Sequence, residues 1–175
     1  MRKLLVIFAA AAMMTSLAAA QTATGNLTVT ATVAGSINLV FNNDANGVQL
    51  TSGDGTNAAS LNFGTVSAFG TLPTGVSRPT PTATTFTVST PVDVQVNKTN
   101  SASANYTLVA QLTTADATNT WAVNGSAFTN ASAGTATATG AYGSKVPVAL
   151  AITIPFTTAD STVISNVVNF TATAN

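Results

Sequence analysis

Three residues in the first third of the chain are spaced for cation chemistry. Asn42, Asp44 and Asn46, followed by Gly47, read N-x-D-x-N-G, close to the D-x-D/N-x-D/N-G opening of a calcium loop. Calcium needs several oxygen ligands, usually including a bidentate Glu at the twelfth position. Gly53 stands there and the chain has no Glu, although Asp54 could contribute from the next loop. The competing reading of Asn46-Gly47 is a hairpin through a type I′ turn. The remaining carboxylates, Asp93, Asp116 and Asp160, are scattered and read as turn or solvated positions. No spacing suggests the carboxylate pair that glycoside hydrolysis requires.

Nucleophilic chemistry has little to draw on. The chain has no His and no Cys. The usual nucleophile–base pairs, thiolate chemistry and zinc sites therefore fall away. A Ser–Lys dyad through Lys98 or Lys145 is the one formal route left. No catalytic residue is assigned, no cofactor is expected, and the chain does not read as an enzyme. Trp121 lies between Asn119 and Asn124 in a polar stretch. It could be exposed, as an aromatic platform for a ligand such as carbohydrate, and the competing reading is plain packing. Tyr106 falls on the apolar phase of its segment and is expected in the core. The Thr-x-Thr runs Thr28–Thr32 and Thr135–Thr139 read as outward strand positions.

Composition narrows the partners. Only 6% of the 175 residues are charged, with five Lys or Arg against five Asp. That cannot build a phosphate-tracking surface, so nucleic acid is excluded as a partner. The N-terminus carries Arg2 and Lys3, then an apolar run from Leu4 to Met14, then Ala18-Ala19-Ala20 before Gln21. This pattern predicts a signal peptide over residues 1–20. The apolar run is shorter than the roughly 20 residues that span a bilayer, so no membrane span is expected in the mature form. The expected location is secreted, periplasmic or at the cell surface. The mature chain keeps three basic residues and five Asp, a net charge of −2. Such weak repulsion suits a subunit packed against copies of itself.

The elements that would hold these residues are strands. Leu27, Val29, Ala31 and Val33 alternate with threonines, and Ile37, Leu39 and Phe41 follow Gly35. The same period of two runs through Val92–Val96, Tyr106–Leu112, Val146–Phe156 and Val168–Ala172. Alternation places one set of side chains on each face of a sheet. Pro147 and Pro155 suggest an edge strand or strand ends for the longest run. Helical periodicity is missing after Gln21, and β-branched residues abound. Residues 72–85 hold Pro73, Gly75, Pro79 and Pro81 and read as a long loop. The expected fold is all-β: an antiparallel β-sandwich of eight to ten strands, immunoglobulin-like or pilin-like, forming a single domain over residues 21–175.

Two stretches carry a family resemblance. Asn26–Val33 with Leu61–Ser67, and the closing Ser165–Ala172, resemble bacterial secreted pilin-like domains of the spore coat protein U and archaic chaperone–usher types. Ser36 and Asn38 stand where that family usually carries a Cys. The resemblance implies an incomplete sandwich, completed by the N-terminal extension of a neighbouring subunit. Leu27, Val29, Ala31 and Val33 would be the donor side chains. It implies a structural or adhesive surface protein whose partners are copies of itself or other surface subunits. The alternative expectation is a monomeric secreted module for carbohydrate or calcium-dependent recognition. The alternation alone also fits a first strand paired within its own domain.

Overall fold

A computed structural model describes residues 25–175, and the predicted signal peptide lies outside the described residues. Eight strands follow in chain order: β1 (Ser36–Asn42), β2 (Thr85–Thr99), β3 (Tyr106–Leu112), β4 (Thr120–Val123), β5 (Ser126–Phe128), β6 (Gly134–Gly140), β7 (Lys145–Pro155) and β8 (Val168–Ala174). They build a five-stranded sheet, β1-β2-β7-β4-β5, and a three-stranded sheet, β6-β3-β8. Every pairing is antiparallel. The described residues contain no helix, and the fold is an all-β sandwich.

The alternation decides which face each strand buries. Phe86, Val88, Val92, Val94 and Val96 of β2 face inward beside Val148, Leu150, Ile152 and Ile154 of β7. Tyr106, Leu108, Ala110 and Leu112 of β3 meet them from the other sheet. Burying each large aliphatic side chain contributes about 1.5–3 kcal/mol. The outward positions carry Thr, Ser and Asn, as in the Thr87–Thr153 hydroxyl pair at 2.7 Å.

Three local expectations change. The longest alternating run, β7, is not an edge strand: it lies at the centre of the larger sheet. Its β4 partner covers only Leu150–Thr153, however, so Pro147 and Pro155 sit where no donor is needed on that side. Asn46-Gly47 does not form a type I′ hairpin, because neither residue has positive φ. Gly47 N–H instead donates to Asp44 C=O at 3.3 Å, a turn with Asp first and Gly last. Gly47 is needed for close approach: a Cβ there would collide with the Pro91 carbonyl. The connection expected at residues 72–85 begins far earlier. No strand lies between Asn42 and Thr85. Single bridges pin this stretch at Phe41–Thr56, Ser52–Ser60 and Ser77–Ser89, while Leu50, Leu61, Phe63, Leu72 and Val76 pack against the core.

Val33–Asn175 forms one compact unit. Residues 25–32 make no strand despite their alternation. Leu27 and Val29 are 88% and 79% exposed.

Candidate functional site

The first and last strands of the sandwich are both edges. β1 pairs only with β2, and β8 pairs only with β3. Between them lies a cleft of about 360 Å³, lined by Ile37, Leu39 and Phe41 on one side and Val168 and Phe170 on the other. These apolar side chains are only partly buried. The Phe41 and Phe170 rings meet edge to face at 5.4 Å and close one part of the seam.

Backbone polarity at the seam follows from the hydrogen bonds at its ends. Thr113 N–H donates to Val167 C=O at 2.9 Å, and Asn175 N–H to Asn105 C=O at 3.0 Å. Bonding alternates along an antiparallel ladder, so odd-numbered residues of β8 face β3. Val168, Phe170 and Ala172 then direct N–H and C=O to the free edge. On β1, Phe41 N–H donates to Thr56 C=O and Gly55 N–H donates to Phe41 C=O, both at 2.7 Å and both away from β2. By the same alternation Ile37 and Leu39 direct their backbone groups into the seam. The cleft thus mixes apolar side chains with Asn38, Asn57 and Asn169, and unpaired strand groups frame it, the situation that invites an added strand.

The calcium-loop residues are placed differently from their spacing. Asn46 is exposed, and its contribution is a backbone N–H that donates to Asp44 Oδ1 at 2.7 Å. Asn42 and Asp44 are buried, and Nδ2 of Asn42 has no partner. Asn42 lies directly opposite Asp93 across the β1–β2 ladder. Among the described residues no three acidic side chains gather as a metal group. Asp54 is turned to a different task, accepting from Asn43 N–H at 2.8 Å.

Asp93 was not singled out by spacing, because only the strand register brings it to Asp44. Burial, the Asp44 charge and a hydrogen bond shared with Asp44 raise the Asp93 carboxyl above its ordinary value, against a smaller opposing pull from Lys145. A raised folded value favours the neutral acid in the fold, so its contribution is full below about pH 4 and lost as pH rises through the folded value. Asp93→Asn is expected to raise the melting temperature at pH 7, with the gap closing towards pH 3. A pH-independent gap in thermal melts would refute this coupling.

Trp121 is not an exposed platform. It is 5% exposed, because its strand phase points it inward beside Val123. Its indole N–H donates to Asp116 Oδ2 at 2.8 Å. The same carboxylate accepts from the Thr118 and Asn119 backbone N–H groups and from Asn119 Nδ2. Burial pushes Asp116 up, but these hydrogen bonds outweigh it and hold its pKa at about 2. Of the polar neighbours that suggested exposure, Asn119 braces the Asp116 carboxylate that accepts from the indole, and Asn124 bonds the Ala136 carbonyl and the Ala149 N–H. Of the two lysines among the described residues, Lys98 Nζ donates to the Ser103 carbonyl at 2.5 Å and lies over the Tyr142 ring, while Lys145 is exposed at the start of β7. Among the described residues no helix is long and apolar enough to cross a membrane.

No family model, curated protein or solved structure matches the chain.

Proposed function

We propose that the protein is a secreted structural or adhesive surface subunit, and that copies join by strand addition. Residues 27–33 of one copy enter the seam between β1 and β8 of the next. One observation carries this reading: an open seam with free backbone groups and partly buried apolar side chains occurs in the same chain as an unpaired, exposed segment of strand alternation. Burying Leu27, Val29 and Val33 would contribute about 1.5–3 kcal/mol each. The added strand would also pair backbone groups that water alone satisfies in a single copy. The similarity to pilin-like domains supports the same reading.

Light scattering on the mature chain, residues 21–175, tests it. The full form is expected to associate, and a form lacking residues 21–34 is expected to stay monomeric yet folded, because β1 starts at Ser36. Ala31→Asp in the full form should weaken association by about a hundredfold, since the charge would be buried between the two edge strands with no cation to pair it. A full form that stays monomeric at high concentration, or a truncated form that associates equally well, would sink the proposal.

A further inference from the structure

The dipeptide Asn-Gly occurs twice in the chain, at Asn46-Gly47 and at Asn124-Gly125. It is the pair most open to attack by a backbone nitrogen on the preceding side-chain amide. Glycine has no Cβ to hinder the approach, and its backbone is the freest to turn. The fold handles the two copies differently. Asn124 and Gly125 both have positive φ, at 47° and 80°, and form the two-residue turn between β4 and β5. Both ends of the Asn124 amide are engaged. Its Nδ2 donates to the Ala136 carbonyl at 2.8 Å, and its Oδ1 accepts from Ala149 N–H at 2.8 Å. The side-chain carbon cannot turn towards the Gly125 nitrogen unless both bonds break.

Asn46 is placed the other way. It is exposed, and no described residue bonds its side-chain amide. The Gly47 nitrogen is held by one long bond, 3.3 Å to the Asp44 carbonyl, at the weak end of the hydrogen-bond range.

We propose that Asn46 is a site of spontaneous deamidation through a cyclic imide, and that the fold protects Asn124 from the same reaction. The Gly47 nitrogen gives up its proton and attacks Cγ of Asn46. The N–Cγ bond forms, the Cγ–Nδ2 bond breaks, and ammonia leaves with that proton. Water then opens the imide at either carbonyl, adding hydroxyl to the carbon and a proton to the released nitrogen. One opening gives aspartate. The other gives isoaspartate, in which the main chain runs through Cβ and is one atom longer.

The surroundings leave no slack for that extra atom. Gly47 is buried, and even a Cβ on it would collide with the Pro91 carbonyl. Val48 N–H donates to Thr90 Oγ1 at 2.7 Å, and Thr90 of β2 is fully buried. On the other side Asn46 N–H donates to Asp44 Oδ1 at 2.7 Å. These bonds fasten the start of the long connection between β1 and β2. Displacing Val48 strands the buried Thr90 hydroxyl without its partner. The new carboxylate also arrives beside Asp44, which already shares a hydrogen bond with Asp93. Both changes act in one direction, so the isoaspartate form is the less stable one.

Peptide mapping by mass spectrometry follows both sites in one sample of the mature protein, residues 21–175, aged in mildly alkaline buffer. Amide loss at Asn46 is expected to run about tenfold or more faster than at Asn124, which must first open its turn. Equal rates, or an Asn46 amide that outlasts Asn124, would overturn the proposal. The melting temperature should fall as isoaspartate accumulates, read by enzymatic methylation of that residue, and Asn46→Gln should age without the fall. Aged protein that melts like fresh protein would overturn the loosening of the connection. Asn46→Asp adds the charge without the extra main-chain atom and should melt between the fresh and aged forms. If it melts as low as the aged form, the displacement of Gly47 is overturned and charge alone is the cause.

Discussion

Trp121→Ala is expected to cost about 3–5 kcal/mol, the range for emptying a buried large aromatic site. For a domain of this size that lowers the melting temperature by roughly 10–20 °C. Two losses combine. The indole leaves a cavity beside Val123 and Phe128, which also lie in the core. Asp116 loses one of its donors and keeps the others. Trp121→Phe separates the two effects, because it keeps much of the packing and removes only the N–H donor. Its cost should be about 1.5–3 kcal/mol, the scale of a hydrogen bond to a charged group.

The pH dependence identifies the second loss. Asp116 sits at about 2 in the fold, below its ordinary value of 3.8. A depressed carboxylate contributes stability above the unfolded value, and that contribution is lost as pH falls from about 4 towards 2. In Trp121→Phe the folded value rises, so the loss should be smaller and should be complete at a higher pH. Denaturant titrations of both proteins between pH 2 and 7 measure it. Parallel curves would mean that the indole N–H does not stabilise the carboxylate.

Gly140→Ala should be nearly as damaging, at about 3 kcal/mol, for the opposite reason. Gly140 of β6 lies across from Tyr106 of β3, and the Tyr106 ring covers the glycine. A Cβ at position 140 would come within 3.0 Å of three ring atoms. The ring cannot move easily, since Tyr106 is fully buried and packs against the Tyr142 ring at 5.3 Å. Combining Gly140→Ala with Tyr106→Leu should cost less than the two separate effects added, because the smaller side chain vacates the space. Strict additivity in denaturant unfolding would mean the ring and the glycine are independent.

The strands were legible because a period of two, repeated over β-branched residues, allows one face in and one face out. Val92–Val96 and Tyr106–Leu112 bury the side chains that this phase selects, and Val168–Ala172 partly buries them. The same signal left the pairing of Leu27–Val33 open, because alternation reports a strand's preference and not the presence of a partner edge. Trp121 was misread for a related reason. Asn119 and Asn124 beside it suggested water, yet Asn119 donates to Asp116, which accepts from the indole. Asn46-Gly47 suggested a hairpin, but a turn type also depends on where the chain goes next, and here it leaves the sheet.

The sequence by itself settled the class of the protein. Strand periodicity, turn residues and the scarcity of helix formers are local properties, and they act before any distant contact forms. Tertiary structure alone decided which edges meet. Register brought Asp93 to Asp44, sheet order made β7 central, and the separation of β1 from β8 left an open seam. It also brought the Phe69 ring beside that of Phe156, although the two lie far apart along the chain. Such pairings depend on how two sheets stack and where their ends fall. Residues many positions apart fix that jointly, and no local pattern carries it.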